Sequence, residues 1–235
     1  MLWSFIVPAW NEQASLSASL EALHASARVA GIEYEIIVAD DASTDRTALV
    51  AEEHGAKVVR CEHRQIAATR NTGARAASGQ MFVFVDADTV VGADTVSGIA
   101  EALESGVVYG CGEVRWDGRV PLWLRPPLWM MSTYFRWAGL AYGAFLFVRR
   151  EAFDAVGGFD ERFFAGEELE LSRLLRKQGR FGWVKQPVVT SGRKLRTYGA
   201  RELLVRTLGL VLRGKRGLKK RDRLDLWYGE RRKDG

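Results

Sequence analysis

The run FVFVDADT carries Asp86 and Asp88 out of a continuous apolar stretch with only Ala87 between them. Two carboxylates at i and i+2 beyond a strand can face one hard cation. A divalent ion held by few protein carboxylates completes its shell with phosphate oxygens and water, which is the environment a nucleoside diphosphate provides. Asp is also common in the turn after any strand, so the pair alone decides little. Its company is more informative. ADDASTD places Asp40, Asp41 and Asp45 after another apolar run, and IVPAWNE ends the first run in Pro8, Trp10, Asn11 and Glu12. Carboxylates gathered at adjacent strand ends repel one another unless a cation or a hydrogen-bonding ligand joins them. A carboxylate after the second strand can accept from a base imide or from ribose hydroxyls. Ser43, Thr44 and Asp45 read as a helix N-cap.

These residues need a scaffold that brings strand ends together. Short β-rich runs (SFIVP, YEIIVAD, KVVRC, MFVFV) alternate with helical patterns over the first 90 residues, including Leu16, Leu20, Leu23 and Ala27 at helical spacing. Continuous apolar strands separated by helices predict an α/β fold with a doubly wound, mostly parallel sheet flanked by helices, Rossmann-like. Ligands of such sheets sit beyond the carboxyl ends of the strands, where the acids are. Further on, VVYGCGEVRW predicts a strand, residues 121–137 an ordered loop with a short helix, and GEELELSRLLRKQG an amphipathic helix. RFGWVKQPVV reads as an edge strand, because Pro187 cannot donate to a ladder.

IVPAWNE, IIVADDASTD, TRNTGARAASG, FVFVDADT, VGGFDE and GEELELSRLLRKQG, in that order, resemble the family 2 glycosyltransferases of GT-A fold over residues 3–180. The resemblance implies a nucleotide-diphosphate sugar donor, a Mg2+ or Mn2+ ion on the DxD pair, and inversion at the anomeric carbon. It matches Pro8, Trp10 and Glu12 to the nucleoside-side wall and Asp41 to the aspartate that reads the base in uridine-nucleotide users. Asp86 falls near ribose and metal, and Asp88 at the direct metal ligand. Arg70 matches an arginine near the donor; an ion pair holding the sheet end together explains it as well. The resemblance implies that the catalytic base is Glu168, in the acid pair Glu167-Glu168, standing where the family usually has Asp. A helix start favours acids in any case.

Composition bounds the rest. With 235 residues, 47% hydrophobic and 27% charged, the chain can bury a core, and disorder is excluded. The formal charge of +5 is uneven: residues 193–235 hold 15 Lys/Arg against 5 Asp/Glu, leaving residues 1–192 at 19 − 24 = −5. The expected organisation is therefore a catalytic domain over 1–192, with a nucleotide-sugar half to about residue 90 and an acceptor half over about 91–192, then a basic helix and tail over 193–235. Cys61 and Cys111 fit neither a disulfide framework nor a zinc spacing, and no secretion signal or membrane span is evident, so a cytoplasmic setting is expected. Three readings of the tail stay open. Its basic amphipathic helix over 201–213 can lie peripherally on an anionic membrane or pack on the catalytic domain; the family resemblance implies as a third reading that Arg193, Lys194 and Arg196 fold over the donor diphosphate. Two rival functions carry less. A nucleotidyltransferase wants a basic Gly-rich loop near its first strand, which IVPAWNEQAS lacks. A nucleic-acid module would set acidic strand ends against a phosphate backbone, so no nucleic-acid partner is expected.

Overall fold

The computed structural model describes residues 1–118, 120–192 and 218 of the chain. The four apolar runs of the first half become β1 (Trp3–Ala9), β2 (Tyr34–Asp41), β3 (Lys57–Cys61) and β4 (Met81–Val85), paired in parallel in the order β3-β2-β1-β4. The helices α1 (Leu16–Ala30), α2 (Thr47–Glu53) and α3 (Ile66–Ala76) make the crossovers. Successive side chains of a strand point to opposite faces, so Phe5 and Val7 of β1 join a core with Leu16, Leu20 and Leu23 of α1, while Ile6 packs on the other face with Ala67 and Ala74 of α3. Burial on both faces is why these strands read as unbroken apolar runs.

Past β4 the chain adds β5 (Thr89–Val91), α4 (Thr95–Glu104), β6 (Val107–Trp116), α5 (Arg125–Ala138), β7 (Phe145–Arg149), α6 (Arg150–Ala155), α7 (Glu167–Leu175) and β8 (Arg180–Thr190). The sheet continues from β4 in the order β7-β6-β8-β5. There β7 runs antiparallel to both β4 and β6, β8 is parallel to β6, and β5 is antiparallel to β8. The result is the expected mixed α/β architecture, one mostly parallel sheet with helices on both sides.

Three local expectations are corrected. β8 is an interior strand between β6 and β5, not an edge. Its register against β6 jumps from Gly112↔Val184 to Val114↔Val188, and Pro187 falls within that irregularity, where no ladder hydrogen bond is asked of it. Residues 121–137 are mostly helix: a 3₁₀ turn, Leu122–Leu124, leads into the 14-residue α5. Pro126 and Pro127 sit in its first turn, where their missing N–H groups cost nothing. Finally, Ser43 and Thr44 do not cap α2. The Ser43 hydroxyl accepts from the Asn11 amide at 2.9 Å, the Thr44 amide donates to Asn11 Oδ1 at 2.8 Å, and only Asp45 receives the first helical amide, that of Thr47, at 2.9 Å.

Candidate active site

Strand-end loops after β1 and β2 are stitched to each other. Besides the Asn11 contacts, the Glu12 amide donates to Thr47 Oγ1 at 2.8 Å and the Gln13 amide to Asp45 Oδ2 at 3.2 Å. Glu12 receives the Ser15 hydroxyl at 2.8 Å. Asn11, Ala42 and Arg64 are the described non-glycine residues with left-handed backbone, at φ of 52°, 58° and 50°. All three lie in the loops at the carboxyl ends of β1, β2 and β3. Strain of this kind persists only where surrounding contacts over-determine it, and it gathers at ligand sites.

Asp41 supplies those contacts for the loop before α3. Its buried carboxylate accepts from the amides of His63 at 2.6 Å, Arg64 at 2.9 Å and Gln65 at 3.2 Å, and from the Thr69 hydroxyl at 2.9 Å. Two carboxylate oxygens offer about four acceptor sites, and the chain fills them. The expectation that Asp41 reads a base edge therefore meets a carboxylate already engaged in fixing residues 63–65 and the Thr69 side chain of α3. Replacing Asp41 with Ala should lower the unfolding free energy by about 2 kcal/mol or more, read from a urea titration, because buried donors lose their acceptor. An unchanged midpoint would return Asp41 to ligand binding. The fixed loop has its own product: the Arg64 guanidinium lies 3.8 Å from the centre of the Trp10 ring, a cation–π contact in the loop after β1, whereas Pro8 lies buried within that strand.

At the end of β4 the two acids divide. The Asp86 carboxylate is one third exposed and takes the Arg70 guanidinium on Oδ1 at 2.7 Å. Asp88 receives the Thr190 hydroxyl at 3.4 Å, and its carbonyl accepts from the Ser191 amide at 3.2 Å, so β8 backs it. Both present hard oxygens of the kind Mg2+ or Mn2+ takes. Among the described residues no cluster of three or more His, Cys, Asp or Glu could hold a metal. Two carboxylates suit a cation whose remaining positions go to diphosphate and water.

Arg70 carries the link from this pair to the acid pair of α7. Its guanidinium is 3% exposed and makes three contacts: Nη2 to Asp86 at 2.7 Å, Nη2 to the Gly143 carbonyl at 2.7 Å, and Nη1 to Glu167 Oε1 at 2.6 Å. Burial works against its charge, and Asp86, Glu167 and Glu168 together outweigh that cost, leaving the guanidinium more firmly protonated than usual. Glu167 is therefore the structural member of the acid pair. Burial raises its pKa, and Arg70 opposes the rise. Glu168 makes no ion pair with a described residue. Burial first, then the charge of Glu167, push its pKa from 4.5 to about 8.

Several residues that hold this arrangement escape sequence reasoning. α3 anchors the segment before α7 through Asn71, whose amide group donates to the Phe159 carbonyl at 2.9 Å and whose Oδ1 accepts from the Phe159 amide at 3.0 Å. Gln65 donates to the carbonyls of Phe163, at 3.0 Å, and Glu161. Gly158 must be glycine: its φ is 76°, and a Cβ there would sit 2.9 Å from Asn71 Oδ1. Asn71 stands in the TRNTG run, so an amide beside the arginine was its only sequence signal; Gly143 and Gln65 had none. Arg193, Lys194, Arg196 and the helix over 201–213 lie outside the described residues.

The sequence profile described as Glycosyl transferase family 2 matches residues 4–159. The chain belongs to that family. An uncharacterised glycosyltransferase of Mycobacterium tuberculosis is 30% identical over 186 residues, covering 76% of this chain and 79% of that protein. A dolichol-phosphate mannosyltransferase of Pyrococcus furiosus is 30% identical over 127 residues; the match covers 51% of this chain and 35% of the relative, so only part of that protein is represented here. Among solved structures, the mannosyltransferase PcManGT from Pyrobaculum calidifontis, in complex with GDP-Man and Mn2+, superposes with a TM-score of 0.66 at 20% identity, over 91% of this chain and 65% of that one. That likeness establishes the GT-A fold for this family 2 chain. Among the described residues no helix is long and apolar enough to cross a membrane.

Proposed function

We propose that this family 2 chain transfers a sugar from a nucleotide-diphosphate sugar to an acceptor hydroxyl with inversion, using Glu168 as the general base. One observation carries the reading: a single buried guanidinium, Arg70, ties the strand-end acid Asp86 to the acid pair at the start of α7. Inversion requires one in-line displacement. The acceptor oxygen must lose its proton as it attacks, while the diphosphate departs on the opposite side. Glu168 supplies a carboxylate with proton affinity near neutrality, the range in which a general base works best. Glu167 is committed to Arg70 and holds Glu168 in position. Asp86 and Asp88 are the residues that would hold Mg2+ or Mn2+, which when bound supplies charge stabilisation for the departing diphosphate.

The acceptor class follows from the same carboxylate. The Pyrococcus relative is named for transfer to dolichol phosphate. A phosphate oxygen needs no base to become nucleophilic, so a half-buried, proton-accepting Glu168 favours a hydroxyl, which a sugar already attached to a lipid also offers. The uridine preference expected from Asp41 loses its supporting residue, since the chain itself occupies that carboxylate, and the nucleoside is assigned to the wall of Pro8, Trp10 and Glu12.

Hydrolysis of a panel of UDP- and GDP-sugars, with Mn2+ supplied and then chelated, tests the proposal. Turnover of one donor that disappears with chelator and returns with Mn2+ is expected. Asp88→Ala should weaken Mn2+-dependent binding of the nucleoside diphosphate about tenfold by calorimetry, with thermal unfolding unchanged, because its side chain serves the ion rather than the core. Failure of every donor to bind or react with Mn2+, or with Mg2+ supplied in its place, would remove the glycosyl-transfer reading.

A further inference from the structure

Helix α5 is the anomaly of the surface. It has 14 residues and not one is buried. Trp129, Met130, Tyr134 and Trp137 are exposed, Trp137 at 84%, and Trp123 stands exposed just before the helix. Such a concentration of large apolar side chains is not how a solvated helix is built. The helix is nevertheless seated on the body, since Phe135 stacks on Tyr142 at 4.9 Å between ring centres and the Tyr142 ring meets Trp183 at 6.1 Å.

Charge identifies what the outer face suits. Residues 118–150 contain no Asp or Glu, whereas residues 1–192 as a whole carry a net negative charge. Arg125 and Arg136 are exposed on α5 itself, and neither forms an ion pair with a described residue. Tryptophan and tyrosine have an apolar body and a polar edge, the combination favoured at the level of lipid headgroups, and arginines beside them meet anionic phosphates. The helix is also close to the site. Gly139 caps it, and four residues later the Gly143 carbonyl receives Arg70.

We propose that α5 is a membrane-docking helix that lies in the headgroup region of an anionic bilayer, with Trp129 and Trp137 inserted and Arg125 and Arg136 on lipid phosphates. Docking along α5 turns the edge of the active site next to Gly143 toward the lipid surface. The inference does not depend on the transfer reaction, because vesicle binding is read without donor, and each can fail alone.

The full chain is incubated with vesicles of phosphatidylcholine alone, or of phosphatidylcholine with phosphatidylglycerol, and both co-sedimentation and quenching of tryptophan fluorescence by brominated acyl chains are measured. Binding to the anionic vesicles with quenching is expected. Trp129→Ser with Trp137→Ser should lower the partition coefficient about tenfold or more and remove most of the quenching, with the thermal midpoint unchanged. Three results would overturn the proposal: no binding by the unaltered chain; binding by the double variant equal to that of the unaltered chain, which would assign it to residues 193–235; or a dimer in place of vesicle binding that the double variant abolishes, which would make α5 a contact between copies.

Discussion

Glu168→Gln should lower turnover by about 100-fold or more, the usual size of a positioned proton transfer, while donor affinity stays within a small factor. Structure adds a second half to this expectation. Glu168 holds its proton more tightly in the folded chain than unfolded, with a pKa near 8 against 4.5. Its contribution to stability is therefore complete below about pH 4.5 and is lost as pH rises through about 8, since the fold must then keep a partly buried charge beside Glu167. Glutamine stays neutral throughout, so the variant should unfold at a higher temperature than the unaltered chain above pH 8 while being catalytically poor. Loss of activity with gain of alkaline stability separates a residue kept for chemistry from one kept for packing. The unaltered chain should show kcat/KM for the transfer rising with pH through the titration of Glu168. Glu168→Asp restores the shorter acid usual in the family and should keep more activity than Gln. If Glu167→Gln lowered the rate with Glu168→Gln harmless, the assignment would be off by one residue.

Arg70→Ala should be the most destabilising single change at the site, costing about 3–5 kcal/mol in a urea titration, because Asp86 and Glu167 lose their shared counter-charge. Activity should fall with it, since Asp86, proposed to hold the metal, and Glu167, which adjoins the proposed base Glu168, are both held by this guanidinium. A paired substitution distinguishes positioning from simple stability. Replacing Arg70 and Glu167 together with Met removes both buried charges of the shorter contact and should recover part of the lost stability, as apolar replacements of buried ion pairs commonly do. Turnover should not recover with it. Recovery of both would mean that the bridge only holds the fold.

Much of this architecture was legible because physics writes it locally. β1, β2 and β4 are covered on both faces, so their sequences are continuous apolar runs, and the residues beyond them had to lie at the ligand-binding end of the sheet. What the sequence concealed depends on distant partners. Arg70 was visible in its motif, but Glu167 lies 97 positions away and Gly143 lies 73, and no local pattern announces either contact. Asp41 reads as one more strand-end acid until its loop is seen folded around it, with donors 22 to 28 residues onward. Pro187 suggested an edge because a regular ladder has no place for it; the register jump against β6 makes one. The altered basicity of Glu168 is a product of burial, which composition cannot report.

The Arg70 bridge bears on how such a chain can vary. Its anchor points lie on α3, at the end of β4, just before β7 and at the start of α7. The stretches between β4 and Gly143, and between β7 and Glu167, enter the bridge only through their ends. Changing the length of a surface loop costs little, about 0.6 kcal/mol for each doubling, so long as its ends are held. Insertions between the end of β6 at Trp116 and the turn at Leu122, outside α5, can therefore reshape what approaches the acids without displacing the acids themselves. Chemistry and approach are mechanically insulated from each other in this chain, and one arginine side chain is the insulator.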